Sequence, residues 1–370
     1  MTVKRRSILL GALGAPALAQ TPATPAVTSE LDRRNDAYAV ELEQYFRRVL
    51  VEEYPARAAK LWNRSYESIP AFEMSVEPNR RRYREIFGPP PLKPSGAAVR
   101  KPSKMVRDIK AEWLSIPLGP LKAEGLLAVP AGASGRVPLV IAQHGIDSFP
   151  ERVFGVGDDR NLYHDYGHAL LREGYAVLAP INLRTIARRN RIERLARLGG
   201  TSMPGIELVR MQALLDEVLK DERIDPRRIG LWGISLGGMA TMFWMPLERR
   251  IKCGIVTAWY NHRRNKMVIP DKRYSCFLET DEEHAFFHGW LTEFTDSDAA
   301  CLICPRPLQI QHGKKDGIAW WPQVIEEFEA AKEHYRKLGI QDRIEMDLHD
   351  GGHEIRLAPG LAFLNKWLKA

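Results

Sequence analysis

The sequence predicts an α/β fold: a mostly parallel twisted sheet flanked by helices, with a helical N-terminal extension ahead of it. Three observations lead there. Residues 137–142 (Val-Pro-Leu-Val-Ile-Ala) are a continuous apolar run, the pattern of a strand buried on both faces. From that point to the C-terminus, short strand-like runs alternate with stretches of helical periodicity. Gly174 and Asp225-Pro226 punctuate the alternation where a chain must turn. Strand, helix, strand in sequence implies parallel pairing through right-handed crossovers.

The elements follow in order. Residues 31–61 carry Tyr38, Leu42, Tyr45 and Val49 at helical spacing among charges, and a second helical piece covers 79–86 until Pro89-Pro90-Pro91 stops it. Residues 105–116 and 121–129 alternate as an antiparallel pair with Gly119-Pro120 at the turn. Strands are expected at 137–142, 175–181, 228–233, 253–259, 307–311 and 343–348. Helices are expected at 162–173, 206–220, 239–246, 324–338 and 361–368. The segment 261–300 is too long for a simple crossover and reads as an insertion.

The N-terminus has its own signature. Residues 1–19 read as an export signal: a basic start with Lys4, Arg5 and Arg6, an apolar stretch from Ile8 to Leu18, and Ala17-Leu18-Ala19 as a cleavage site. The run from Lys4 to Leu10 is similar to a twin-arginine signal, with a general secretory signal as the alternative. Residues 20–30 read as a flexible lead-in, 31–103 as the helical extension and 104–370 as the catalytic domain. The expected location is therefore periplasmic or extracellular.

Composition excludes several classes. The chain has 370 residues, 45% hydrophobic and 27% charged, with 28 Gly, 25 Pro and 4 Cys, so disorder, collagen and a disulfide mini-scaffold are ruled out. The formal charge of +8 falls to +5 without Lys4, Arg5 and Arg6, a small balance for this length. Nucleic-acid binding is not expected, and neither is an integral membrane segment. Cys301 and Cys304 form a C-x-x-C with no second pair or histidine pair to complete a metal site, so buried free thiols are expected. Cys253 and Cys276 pair only if the fold joins them. The basic stretch from Arg184 through Arg188, Arg189 and Arg191 to Arg197 reads as a solvated face, or as a rim for an acidic substrate.

Chemistry concentrates in one constellation. Gly233-Ile234-Ser235-Leu236-Gly237 has the form G-x-S-x-G between an expected strand and an expected helix. A serine on that turn needs small neighbours, because the chain folds tightly around a strained residue. A hydroxyl becomes a nucleophile only when a base takes its proton. Asp316 follows the strand at 307–311, and His353 follows the strand at 343–348, behind Gly351-Gly352. The order Ser, acid, His makes His353 the expected general base and Asp316 its orienting carboxylate, with His349 and Asp350 as decoys. The oxyanion hole is expected from the N–H of Leu236 and the N–H of Ile146, with Gly145 second. His144, Trp320, Trp321, His288 and Trp290 are candidates to line a substrate pocket. This chemistry requires no metal and no organic cofactor.

Taken together, these motifs resemble the α/β-hydrolase superfamily over roughly 105–370. The run Ile224-Asp225-Pro226-Arg227-Arg228-Ile229-Gly230-Leu231-Trp232-Gly233 looks like the dienelactone-hydrolase and prolyl-oligopeptidase-like branch, as does Cys304 to Gly313. The export signal, the helical extension and the His144-Gly145 loop are similar to bacterial acetyl xylan esterase-like proteins. The resemblance implies an α/β-hydrolase fold and hydrolysis of carboxylic esters, such as those of acylated plant carbohydrate. It departs from the acetyl xylan esterase pattern at Leu236, where Gln is usual, and from glucuronoyl esterases, which carry Arg there. A prolyl-oligopeptidase-like peptidase and a non-catalytic carbohydrate-binding protein are the competing readings. Only about a hundred residues precede the catalytic region, too few for a propeller gate, and the complete triad disfavours a non-catalytic role.

Overall fold

The computed structural model describes residues 25–133 and 135–369. The expected export signal lies outside the described residues. The chain divides into two compact units, Met1–Phe46 and Arg47–Ala370. Among the described residues the first unit is helix α1 (Pro25–Arg47, its last residue counted in the second unit), which begins inside the expected flexible lead-in and so shortens it. The second unit opens with one π-helical stretch and α2 (Tyr54–Leu61). Helix α3 (Ile69–Phe87) follows, more than twice as long as the sequence suggested. Pro70 sits in its first turn, where no backbone donor is missed, and Ser68 caps it by accepting the Ala71 N–H at 3.2 Å. Pro78 lies inside it. Phe72, Val76, Tyr83 and Phe87 form its buried stripe, and Gly88 in the left-handed region (φ 52°) ends it.

One nine-stranded sheet forms the centre. Its strands are β1 (Val99–Pro102), β2 (Ala111–Leu118), β3 (Leu121–Ala128), β4 (Val137–Gln143), β5 (Ala176–Pro180), β6 (Ile224–Ile234), β7 (Cys253–Thr257), β8 (Leu308–Gly313) and β9 (Ile344–His349). The spatial order is β1-β2-β3-β5-β4-β6-β7-β8-β9. The first three strands and the β3–β5 pair run antiparallel, and every pair from β5 through β4 to β9 is parallel. Strand β1 lies in the stretch expected to be all helical. It is short, polar and on the sheet edge, so no apolar alternation announces it.

The crossover helices are α4 (Tyr166–Arg172), α5 (Ile186–Leu198), α6 (Met203–Val218), α7 (Leu236–Trp244), α11 (Trp321–Lys337) and α12 (Leu357–Leu368). Between β7 and β8 the insertion folds as α8 (Arg263–Val268), two 3-10 turns, α9 (Trp290–Glu293) and α10 (Asp296–Ile303). Both sheet faces are covered, by α3, α6, α7 and α11 on one side and α4 and α12 on the other. Fully buried Ile141, Leu231, Val256 and Leu308 belong to the first core and Val140, Trp232, Ile255 and Val177 to the second. Each such side chain contributes about 1.5–3 kcal/mol by leaving water. All four cysteines are free and buried. Among the described residues no helix is long and apolar enough to cross a membrane.

Candidate active site

The carboxyl ends of five parallel strands are in register. Gln143 pairs with Gly233, Ile234 with Thr257, Thr257 with Gln311, and Gly313 with His349. The loops that leave β4, β6, β8 and β9 along this edge carry Ile146, Ser235, Asp316 and His353. In open α/β sheets this edge is where ligands bind.

Ser235 stands between β6 and α7 with φ 58° and ψ −119°, a conformation that is strained for any residue with a side chain. Its N–H is held by the Thr257 carbonyl at 2.9 Å. The glycines around it are required by space. A methyl group on Gly237 would collide with the Gln143 carbonyl, one on Gly233 with the Gly237 carbonyl, and one on Gly238 would lie 2.7 Å from the Thr257 carbonyl. Of the six non-glycine residues with positive φ among those described, Asp147, Ser235 and Ala258 sit just beyond β4, β6 and β7. Strain of this kind gathers where a fold holds reactive groups in place. Ser235 is half-buried and reachable.

Asp316 is 6% exposed and bonds His353 Nδ1 through Oδ2 at 2.8 Å, while its Oδ1 accepts the Ile318 N–H at 3.0 Å. Burial alone would raise the Asp316 carboxyl. The hydrogen bond from His353 and its charge outweigh burial and hold the group below the ordinary carboxylate range. The His353 loop is fastened from several sides. Glu354 meets His164 Nε2 at 2.8 Å, the Ile355 N–H donates to Leu162 O at 2.8 Å, and the Gln311 side chain clasps both the N–H and the carbonyl of Arg356. Gln311 belongs to a buried polar relay that runs from Trp232 Nε1 to Thr257 and on to Gln311. The two decoys are occupied elsewhere. His349 accepts the Gly351 N–H at 3.1 Å, and exposed Asp350 pairs with Lys314.

Leu236 opens α7, so its N–H belongs to the first turn, where no intrahelical acceptor exists. Gly145 lies against Ser235, since a methyl group there would sit 3.2 Å from Ser235 Cβ. The Gly145 N–H is spoken for: it donates to the Tyr163 hydroxyl at 2.8 Å. That leaves Ile146 as the candidate donor from this loop. Tyr163 carries no motif, and sequence reasoning missed it.

The pocket candidates fare differently. His144 is fully buried, with Nδ1 on the Gly145 carbonyl at 2.8 Å and Nε2 accepting the Asn182 N–H at 3.1 Å. Burial pushes it down to about 4, so it is a neutral clamp between two loops. Trp290 is also core: it packs with Tyr83, Phe87, Phe243 and Phe294. His288 is exposed and lines a cavity of about 350 Å3 with Arg82, Glu85, Glu193, Arg197 and Phe287, none of them a triad candidate. Trp320 and Trp321 are half-buried just past Asp316. The Arg273 guanidinium lies 3.7 Å above the Trp320 ring, and the Lys314 ammonium lies 6.0 Å from the Trp321 ring.

The basic run is helix α5, and much of its charge is spent internally. Arg189 is fully buried against Glu207 at 2.6 Å. Arg194 pairs with Glu283, and Arg197 reaches the Glu283 and Phe286 carbonyls, so the helix staples the insertion in place. Only part of the run is a solvated face, with Arg188 and Arg191 exposed. Among the described residues, no group of three His, Cys, Asp or Glu side chains has the geometry to hold a metal ion.

No protein-family model and no curated protein matches this sequence. Solved structures do match the fold. The chain is similar to a Bacteroides fragilis protein provisionally described as an acetyl xylan esterase, at 18% identity and TM-score 0.62, over 81% of this chain and 82% of that one. It is also similar to a family 15 glucuronoyl esterase from Caldicellulosiruptor kristjansonii, at 17% identity and TM-score 0.58, over 82% and 87% of the two chains. A glucuronoyl esterase from Solibacter usitatus aligns at 14% identity and TM-score 0.59, over 81% and 94%. The architecture is the α/β-hydrolase fold.

Proposed function

We propose that this protein is a serine hydrolase of carboxylic esters, with Ser235 as nucleophile, His353 as general base and acid, and Asp316 as its orienting carboxylate. The observation that carries the reading is the strained Ser235 turn at the same sheet edge as the 2.8 Å His353–Asp316 bond, in the chain order of an α/β-hydrolase. In the forward step His353 Nε2 accepts the Ser235 Oγ proton as Oγ bonds to the ester carbonyl carbon. Charge develops on the carbonyl oxygen, toward the N–H groups of Leu236 and Ile146. The tetrahedral intermediate expels the alkoxide, which takes the proton from His353, and an acyl-enzyme remains. Water repeats the sequence and releases the carboxylic acid. Asp316, anionic in the neutral range, holds the proton on Nδ1 throughout, so Nε2 is always the nitrogen that faces the reaction.

The names of the fold neighbours (acetyl xylan esterase, glucuronoyl esterase) support an acylated or uronate-bearing carbohydrate as the ester-bearing partner. The leader-like first 19 residues support action outside the cytoplasm. The test is Ser235→Ala against p-nitrophenyl acetate. It should lower kcat by about 10⁴-fold or more while circular dichroism stays unchanged. Wild-type protein should also be labelled by a fluorophosphonate probe, and the variant should not. Retained turnover in Ser235→Ala sinks the assignment.

A further inference from the structure

Resting on the reading above, we propose that Lys266 is a positioning residue for the catalytic acid: it fixes Ser275, whose backbone in turn holds the loop that carries Asp316. The chain of contacts is continuous. Lys266 projects from α8 and is 1% exposed, a placement that excludes direct contact with bulk solvent and is rare for an unpaired lysine. Its ammonium donates to the Ser275 carbonyl and to Ser275 Oγ, the latter at 2.7 Å, and stands 4.4 Å from the centre of the Phe277 ring. The Ser275 N–H donates to the Gly317 carbonyl at 3.0 Å. Gly317 directly follows Asp316, and the same turn supplies the Ile318 N–H that fixes Asp316 Oδ1. Tyr274 steadies this segment too, its hydroxyl donating to the Ile269 carbonyl at 2.7 Å. Gly317 itself is exposed and, as glycine, adds no side chain to hold the turn. The Asp316 N–H donates to the Gly313 carbonyl and the Lys315 N–H to the Gly351 carbonyl, both at 3.0 Å, and the tether to Ser275 holds the turn at the residue after the acid.

Among the described residues no salt bridge accounts for burying this ammonium. Its two oxygen acceptors are both on one residue, and that residue is the one bonded to the acid turn. A charged donor makes hydrogen bonds roughly twice as strong as a neutral one. The tether is therefore firmest while Lys266 carries its proton. Burial pushes the ammonium down to about 8, and neighbouring Arg263 pushes the same way. Glu282, Cys276 and Asp316 face it and oppose that shift. The protonated form is lost as pH rises through this range, which makes the tether weaken on the alkaline side.

The test is a pH profile of kcat and KM on p-nitrophenyl acetate for wild type, Lys266→Met, Ser275→Ala and Ser235→Ala. Wild-type kcat should fall above about pH 8 with KM steady. Lys266→Met should lower kcat about tenfold at pH 7, leave KM within about twofold and lack the alkaline step, since displacing a catalytic group by a fraction of an ångström acts on kcat. Ser275→Ala removes one acceptor from the ammonium, so its alkaline step should move to lower pH, with kcat down about threefold. A wild-type kcat that stays flat from pH 7 to 9.5 overturns the proposal. So does a folded Lys266→Met with wild-type kcat and profile. If Lys266→Met does not fold, an unmoved step in Ser275→Ala overturns it alone. An inactive wild type, or an active Ser235→Ala, instead brings down the esterase reading beneath it.

Discussion

Replacing Asp316 by Asn tests the acid assignment with a change of one atom. The structure fixes the orientation of the new amide. The Ile318 N–H donates to Oδ1 at 3.0 Å, so the amide oxygen must stay there and the amide nitrogen takes the Oδ2 position, 2.8 Å from His353 Nδ1. An N–H donor facing Nδ1 forces the imidazole proton onto Nε2, the atom that must receive the Ser235 proton. The buried site offers no room for an easy flip, because Asp316 is 6% exposed. A Ser–His–Asp triad loses on the order of 10⁴ in kcat when its acid becomes an amide, about 5.5 kcal/mol of transition-state stabilisation. The assay is kcat on p-nitrophenyl acetate at pH 7.5, with near-ultraviolet circular dichroism to confirm packing. Asp350→Asn is the control, since that carboxylate is exposed and pairs only with Lys314, and it should keep activity within about twofold. If Asp316→Asn keeps more than about a tenth of wild-type kcat, or if Asp350→Asn is the variant that dies, the acid has been misassigned.

Two further variants probe the scaffold. Glu327 is buried, and burial followed by the Asp296 charge raises its carboxyl from 4.5 to about 7. The folded state thus binds a proton that the unfolded state has lost, and stability falls as pH rises through that window, by on the order of 3 kcal/mol. Glu327→Gln keeps an acceptor for the Ser297 N–H and escapes this loss. Its melting temperature should exceed wild type by several degrees at pH 8 and match it near pH 4.5; equal melting curves at pH 8 would refute the argument. Arg189→Met leaves Glu207 as a buried, unpaired carboxylate, so urea unfolding at pH 7 should show a loss of about 3–5 kcal/mol. Arg188→Glu, one residue away and exposed, should change stability by less than about 0.5 kcal/mol, and a comparable loss in both variants would mean that the buried pair is not what Arg189 contributes.

What the sequence made legible was whatever its local physics alone determines. The Ser235 turn announces itself because strand, sharp turn and helix N-terminus follow within a few residues and demand glycine at 233 and 237. The parallel strands β4, β5 and β7 and the second half of β6 show as apolar runs because both faces are covered, whereas β8 and the edge strand β9 alternate apolar with polar residues. The misses came from residues whose meaning depends on distant partners. The basic run of α5 reads as a solvated face or a substrate rim until Glu207 and the 283 and 286 carbonyls are known to receive its arginines. The type of His144, Trp290 and His288 suggested a pocket, but only tertiary packing reveals that the first two are sealed in the core and the third faces another cavity. That the Gly145 N–H already has an acceptor, the hydroxyl of Tyr163 eighteen residues away, likewise shows only in the folded chain.

That division has a consequence for specificity. Fold neighbours at 14–18% identity keep TM-scores of 0.58–0.62, so most side chains differ while the backbone path persists. The path is enforced at the elbow by backbone atoms: Gly237 against Gln143, Gly238 against Thr257, Ser235 N–H on Thr257 O. No side-chain change elsewhere relaxes those contacts, and they set the reacting group independently of what is hydrolysed. The insertion between β7 and β8 answers to different constraints. It is held by side-chain bonds to α5, which can be exchanged one at a time without disturbing the sheet, and by one backbone bond, from the Ser275 N–H to the Gly317 carbonyl, to the acid turn. Under the proposed reading, the chemistry is therefore built into the sheet edge, and the insertion can vary in sequence without disturbing it. Leu236 fits this view. In the proposed mechanism the donor is its backbone N–H, so the departure at this position from the residues usual in the resembling families leaves that donor in place.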